Sequence, residues 1–221
     1  MDNYLDHYCE RLAPGLWGEP FNSISNLAFF VTAYLIYRQF YAKRHLLFST
    51  GWDLWLLLML VVAIGTGSTA WHLLANHWSL WSDRIPILLF INVYLLSCLY
   101  RVIRLPLSGL LVAFLLYHAI NTNLQLNYPA ETLNGSLFYI PTLIFLIGIT
   151  MIVWSRGLPG TNYFVLAANI FTISLAFRTI DLWFCDSFSI GTHFIWHILN
   201  AITIYLLMAE LFKNQTPIGE D

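Results

Sequence analysis

The sequence predicts an all-α integral membrane protein, a bundle of seven transmembrane helices, from three observations. Hydrophobic residues make up 58% of the 221 positions and charged residues only 10%, against roughly 45–50% and 25% in soluble domains. So little charge cannot clothe a soluble surface. Seven apolar stretches come close to the roughly 20 residues that a helix needs to cross a bilayer. Between them fall residues that end helices: Gly51, Pro106, Pro129, Gly135, Pro159 and Gly160.

The expected spans run over 23–41, 52–74, 84–103, 107–123, 136–154, 163–180 and 192–212. No repeat and no long linker divides them, so residues 1–221 read as a single domain. Its parts outside the membrane are an acidic N-terminal segment, 1–22, and a short tail, 213–221. The N-terminus lacks the basic and apolar regions of a cleaved signal peptide. Lysine and arginine gather on cytoplasmic loops. Placing the N-terminus outside and the C-terminus in the cytoplasm puts Arg38, Lys43, Arg44, Arg101, Arg104, Arg156 and Lys213 inside, and leaves only Arg11, Arg84 and Arg178 outside. The net charge of −2 says nothing about nucleic acid, but the sequence has no basic patch that would bind it, so no nucleic-acid partner is expected.

That topology carries a set of polar residues to one leaflet. Ser68 and His72 fall in the last turns of span 2, Asp83 at the start of span 3, and His193 and His197 in the first turns of span 7. Residues four apart on a helix share a face, and ionisable side chains inside a membrane usually face a bundle interior. Three imidazoles with an open fourth position are the ligand set of catalytic zinc, which acidifies bound water to a pKa of about 7. Asp83 would then act as general base and acid, and Ser68 would hydrogen-bond a developing oxyanion. Each piece also has a bland reading. The histidines fit an interfacial aromatic pair, Ser68 a helix hydrogen bond, and Asp83 a cap on the positive end of span 3.

Other polar residues suggest less. His118 near Asn121 reads as a hydrogen-bonded bundle residue, Asn169 as helix–helix glue, and Arg178 with Asp181 as a local ion pair. Asn134-Gly135-Ser136 is a glycosylation sequon. Asp6, Glu10, Glu19 and Asn22 crowd hard oxygens into the N-terminal segment, either as calcium ligands or as an acidic solvated stretch. Cys9 and Cys185 both fall on the outer side, where an oxidising compartment favours a bridge between them; Cys98 reads as packing.

Several of these stretches resemble the alkaline ceramidase family: Cys9-Glu10-Arg11, Trp17 through Asn26, Gly67 through His72, Asp83 through Pro86, and His193-Phe194-Ile195-Trp196-His197. The resemblance covers nearly the whole chain, and the wider superfamily includes the progestin and adipoQ receptors. It implies zinc on His72, His193 and His197, with Asp83 and Ser68 beside it, and hydrolysis of the amide of ceramide. It also implies calcium on the N-terminal acids. Glu10 and Glu19 match that pattern, Asp6 matches with a shift of one residue, and Leu12 stands where the family has asparagine. The Cys9–Cys185 pairing agrees with the family. The short connectors look like those of bacterial members, which favours a bacterial inner membrane over the ER or Golgi membrane of a eukaryote.

Two readings follow. One is a zinc-dependent amidase acting on ceramide or a similar N-acyl lipid, a membrane lipid substrate in either case. The other is a seven-helix lipid sensor or receptor whose zinc is structural and which turns nothing over.

Overall fold

The computed structural model of the chain describes residues 4–42 and 51–213, and every regular element among them is helical. A short α1 (Pro20–Ser25) precedes seven long helices: α2 (Leu27–Ala42), α3 (Trp52–Leu74), α4 (His77–Arg101), α5 (Leu107–Asn127), α6 (Ile140–Ser155), α7 (Thr161–Ile180) and α8 (His193–Lys213). Single 3₁₀ turns, Ser136–Tyr139 and Asp181–Trp183, extend α6 and α7 at one end of the bundle. Six segments are long and apolar enough to cross a membrane. The remaining long helix, α2, has 16 described residues, about 24 Å at 1.5 Å per residue. Asp2, Lys43, Arg44, His45 and the tail after Lys213 lie outside the described residues.

The third expected span begins earlier than its hydropathy suggests. Asn76 caps α4: its side chain accepts from Ser79 N (3.0 Å), while Ser79 Oγ accepts from Asn76 N (3.1 Å). This reciprocal box satisfies two of the amides that a helix start leaves bare. Asp83 therefore sits in the second turn of α4 and caps nothing, contrary to the helix-cap reading. Further along α4, Pro86 lies inside the helix, where it cannot donate to the carbonyl of Ser82. Gly67 of α3 packs against that carbonyl. A Cβ at Gly67 would overlap Ser82 O and lie 2.6 Å from its carbonyl carbon. The missing side chain lets the two helices close at Ser82, which sets Ser68 beside Asp83.

One apolar core fills the bundle from Phe40, Leu54 and Leu57 through Cys98 and Val153 to Met208 and Leu211. A polar clamp closes the end opposite the histidines. There Asp53 accepts from Ser97 Oγ (2.7 Å), Arg101 Nε (2.8 Å) and Arg101 Nη2 (2.6 Å), tying α3 to α4. His118 bonds Asn92 of α4 (2.8 Å). Asn169 bonds its own helix at Val165 O (2.8 Å) and glues no neighbour. The sequon residue Asn134 donates to Arg178 O (2.9 Å), so its amide serves packing.

Asp181 makes no contact ion pair with Arg178 among the described residues, although the two still attract each other. Its carboxylate accepts from the backbone N–H of Thr192 (2.6 Å), His193 (3.0 Å) and Cys9 (3.2 Å). It thus caps α8 from the end of α7 and holds the N-terminal segment to both. A Cys9–Cys185 disulfide, with Cα atoms 5.1 Å apart, closes the same knot. Gly191 (φ +65°) lies against the Asp181 carboxylate, and a Cβ there would come 2.7 Å from Cys9 Cβ. The bridge closes a loop spanning 176 positions. Cys185→Ser is expected to lower stability by about 2–5 kcal/mol, read as a lower Tm in detergent, and dithiothreitol on the wild type should reproduce the shift.

Candidate metal centre

Three elements deliver the histidines. His72 lies in the last turn of α3, His193 opens α8 under the Asp181 cap, and His197 follows one turn later. All three are buried, and one ligand-type nitrogen from each lies within 4.8 Å of the others. The bundle thus brings together the trio expected from the sequence.

The outer nitrogens of two rings are already engaged. His72 Nδ1 meets Glu19 Oε2 at 2.7 Å, and His197 Nδ1 meets Ser25 Oγ at 2.7 Å. Ser25 Oγ also donates to Asn22 O (3.0 Å), so it accepts from His197. A carboxylate only accepts, so His72 Nδ1 carries the other proton. As neutral imidazoles, both rings then present a bare Nε2, and these two atoms face each other at 3.2 Å. Neither can donate to the other. The distance suits two ligands of one tetrahedral ion, roughly 3.3 Å for Zn–N bonds of about 2.0–2.1 Å. His193 Nδ1 is buried without a hydrogen-bond partner. These residues fit a metal ion, and Glu19 and Ser25 supply the outer contacts that commonly orient metal-binding histidines.

Tyr8 closes the cluster from the N-terminal segment. Its ring stacks on His193 at 4.0 Å, and its hydroxyl accepts from Trp71 Nε1 at 3.1 Å. His193 and His197 line a cavity in the bundle, and His72 is bonded to the N-terminal segment through Glu19. Ser68 and Asp83 line the same cavity and interact with each other. Asp83 stands outside the three-histidine grouping. Away from this polar end the lining is apolar, from Phe90 and Tyr94 on α4 to Ile204 and Leu207 on α8. From His193 to Leu207 the wall of α8 extends about 21 Å at 1.5 Å per residue.

Asp6, Glu10 and Glu19 take different partners in the fold. Asp6 is exposed. Glu10 accepts from the backbone amides of Phe21 and Asn22, both at 2.7 Å. Glu19 is ion-paired to Arg11, both side chains fully buried, and also accepts from His72 and Asn22 Nδ2 (3.0 Å). Burial pushes both carboxyls up; the Asn22 and Phe21 amides oppose this at Glu10, and Arg11 at Glu19. Arg11 completes its fork on Leu5 O (2.6 Å) and Trp71 O (3.3 Å) and lies over the Trp71 ring at 4.2 Å. A cation is already built into this segment, and calcium would have to displace it from Glu19.

The residues that sequence reading missed are Arg11, Tyr8, Ser25 and Arg178. All lie in or beside conspicuous stretches, but their roles rest on contacts with distant elements.

Fold and site together define an all-helical, multi-pass membrane protein with a candidate metal centre at one end of its bundle. The chain belongs to the Ceramidase family, whose model matches residues 7–214. No curated protein matches the chain. The family implies a hydrolase of amide bonds with ceramide-like lipid as substrate.

Removing Arg11 should expose what it balances. Arg11→Ala leaves Glu19 buried without its cation, an expected loss of about 3–5 kcal/mol seen as a depressed Tm. Adding EGTA to the wild type should leave Tm unchanged.

Proposed function

We propose that this protein is a zinc-dependent intramembrane amidase that cleaves ceramide or a similar N-acyl lipid to an amine lipid and a fatty acid. The N-terminus faces outward and the C-terminus the cytoplasm, in a bacterial inner membrane. The observation that carries this reading is the pair of bare imidazole nitrogens, His72 Nε2 and His197 Nε2, confronted at 3.2 Å beside a cavity. Two lone pairs held face to face in an apolar interior call for a shared electrophile.

His72, His193 and His197 would hold the ion. Zinc there would supply Lewis acidity and a bound water with a pKa near 7. The acyl chain enters the apolar part of the cavity, which sets the amide at its polar end. Asp83 takes the proton released as water attacks the carbonyl carbon and returns it to the nitrogen as the C–N bond breaks. Ser68, held by Asp83 before substrate arrives, turns its hydroxyl to the carbonyl oxygen as negative charge grows there. Glu19 keeps His72 in one tautomer and orientation, and Ser25 does so for His197. The open side of the histidine set faces the cavity, which favours catalysis over a closed structural site.

Metal analysis of detergent-purified protein should find about one zinc per chain, with His193→Ala reducing it to background. Asp83→Asn is expected to keep the zinc and lower kcat by about 10²–10⁴-fold. Zinc retained without turnover of any N-acyl lipid by the wild type would favour the sensor reading instead.

A further inference from the structure

The three arginines on the same side of the bundle as the histidines converge on one place. Arg11, Arg84 and Arg178 all line a vestibule above the cavity, with His7, Asp6 and Glu131. Arg11 is matched by Glu19, and Arg84 is exposed. Arg178 differs from both. It lines the vestibule and the reaction cavity at once, so it stands where the two meet.

Its surroundings favour a cation but leave one of its donors open. The guanidinium carbon lies 5.5 Å from the Tyr139 ring centre and 5.1 Å from that of Trp196, and the two rings pack edge to face. Rings attract a cation but do not consume its directional N–H bonds. Arg178 Nε is buried with no hydrogen-bond partner. The contact ion pairs among the described residues are Arg11 with Glu19, His72 with Glu19 and Arg101 with Asp53; Arg178 is in none of them. Asp83, the carboxylate of its cavity, is hydrogen-bonded to Ser68 and attracts Arg178 through space. Tyr8 hydrogen-bonds the Arg178 side chain, so Nε is the donor left over. A buried donor left without an acceptor is costly, and the planar fork to which Nε belongs is shaped for a carboxylate, phosphate or similar oxyanion.

We infer that Arg178 is a head-group subsite, and that the preferred substrate is an N-acyl lipid carrying an oxyanion close to its amide. This rests on the amidase reading and narrows its substrate class. With the acyl chain in the apolar cavity and the amide at the histidines, the head group is directed to the seam between cavity and vestibule. Arg178 occupies that seam, and an oxyanion there would satisfy Nε and the fork together.

The test uses two lipids with identical chains in mixed micelles, ceramide and ceramide 1-phosphate. The wild type is expected to favour the phosphate by tenfold or more in kcat/KM, about the worth of a charge-assisted hydrogen bond. Arg178→Gln should erase that preference, and Arg178→Lys should keep part of it. Equal turnover of both lipids by the wild type overturns the subsite, even if no Arg178 variant folds. So does an Arg178→Gln variant of normal zinc content that slows both lipids in the same proportion. Binding to the Asp83→Asn protein separates the two ideas. Selective binding of the phosphate lipid, lost on adding Arg178→Gln, supports the subsite even if the wild type hydrolyses nothing. Equal binding of both lipids counts against it.

Discussion

The hydrogen bond from His72 to Glu19 is the contact on which the outer half of the molecule depends. A buried imidazole needs a partner for its N–H, and a buried carboxylate needs a compensating cation or donor. Glu19 sits in the segment before α1, His72 at the end of α3, and Arg11 earlier in the chain. The Arg11–Glu19–His72 line therefore fastens the N-terminal segment over the mouth of the bundle. It brings Tyr8 onto His193 and lets Glu10 receive the first amides of α1. With no water in the hydrocarbon to serve these groups, each must find its partner within the protein. The N-terminal segment supplies several of them.

A second fastening holds the other side of the site. Asp181 gathers amides from Cys9, Thr192 and His193, and the disulfide lies beside it. Together they fix where α8 begins, and hence which of its turns face the cavity. His193 is the first residue of that helix, so a slip by one residue would turn both histidines by about 100° around the axis. The cap and the bridge set the register of two of the three imidazoles, while Gly67 and Pro86 set the approach of Ser68 to Asp83. The cluster thus depends on backbone geometry at several points outside it.

Much of the helical layout was legible because a bilayer imposes a simple rule on hydropathy. Span 2 was expected over 52–74, the bounds that α3 has. The histidine trio was legible because His193 and His197 share a helix face, and because Ser68, His72 and Asp83 reach the same end once spans alternate. What stayed hidden depends on chemistry between distant segments. The start of α4 lies in a polar stretch, Asn76 through Asp83, that no hydropathy window includes; its signal was the Asn76 and Ser79 spacing of a capping box. Arg178 and Asp181, three apart, suggested a pair because local spacing was all that the sequence offered. In the fold Asp181 takes backbone amides and Arg178 takes aromatic rings, and the two form no contact ion pair. The acids of the N-terminal segment read either as ligands for a hard cation or as a solvated stretch. The pairing of Glu19 with Arg11, eight residues before it, is a further role that their composition does not show.

The distribution of polarity within the cavity limits what the site can bind. Its histidines, Asp83, Ser68 and Arg178 occupy one end, and the rest of the wall is hydrocarbon and aromatic. A small polar molecule would leave that wall unfilled, and a simple alkane would leave the polar end unmatched. A ligand that satisfies both must be long, apolar along most of its length and polar at one end, which is the shape of a lipid. Electrostatic interactions gain strength where water is excluded, so charges at the polar end act on such a ligand with little screening. The same exclusion makes a buried donor such as Arg178 Nε costly to leave open, and an anionic head group is the ligand feature that would supply its acceptor.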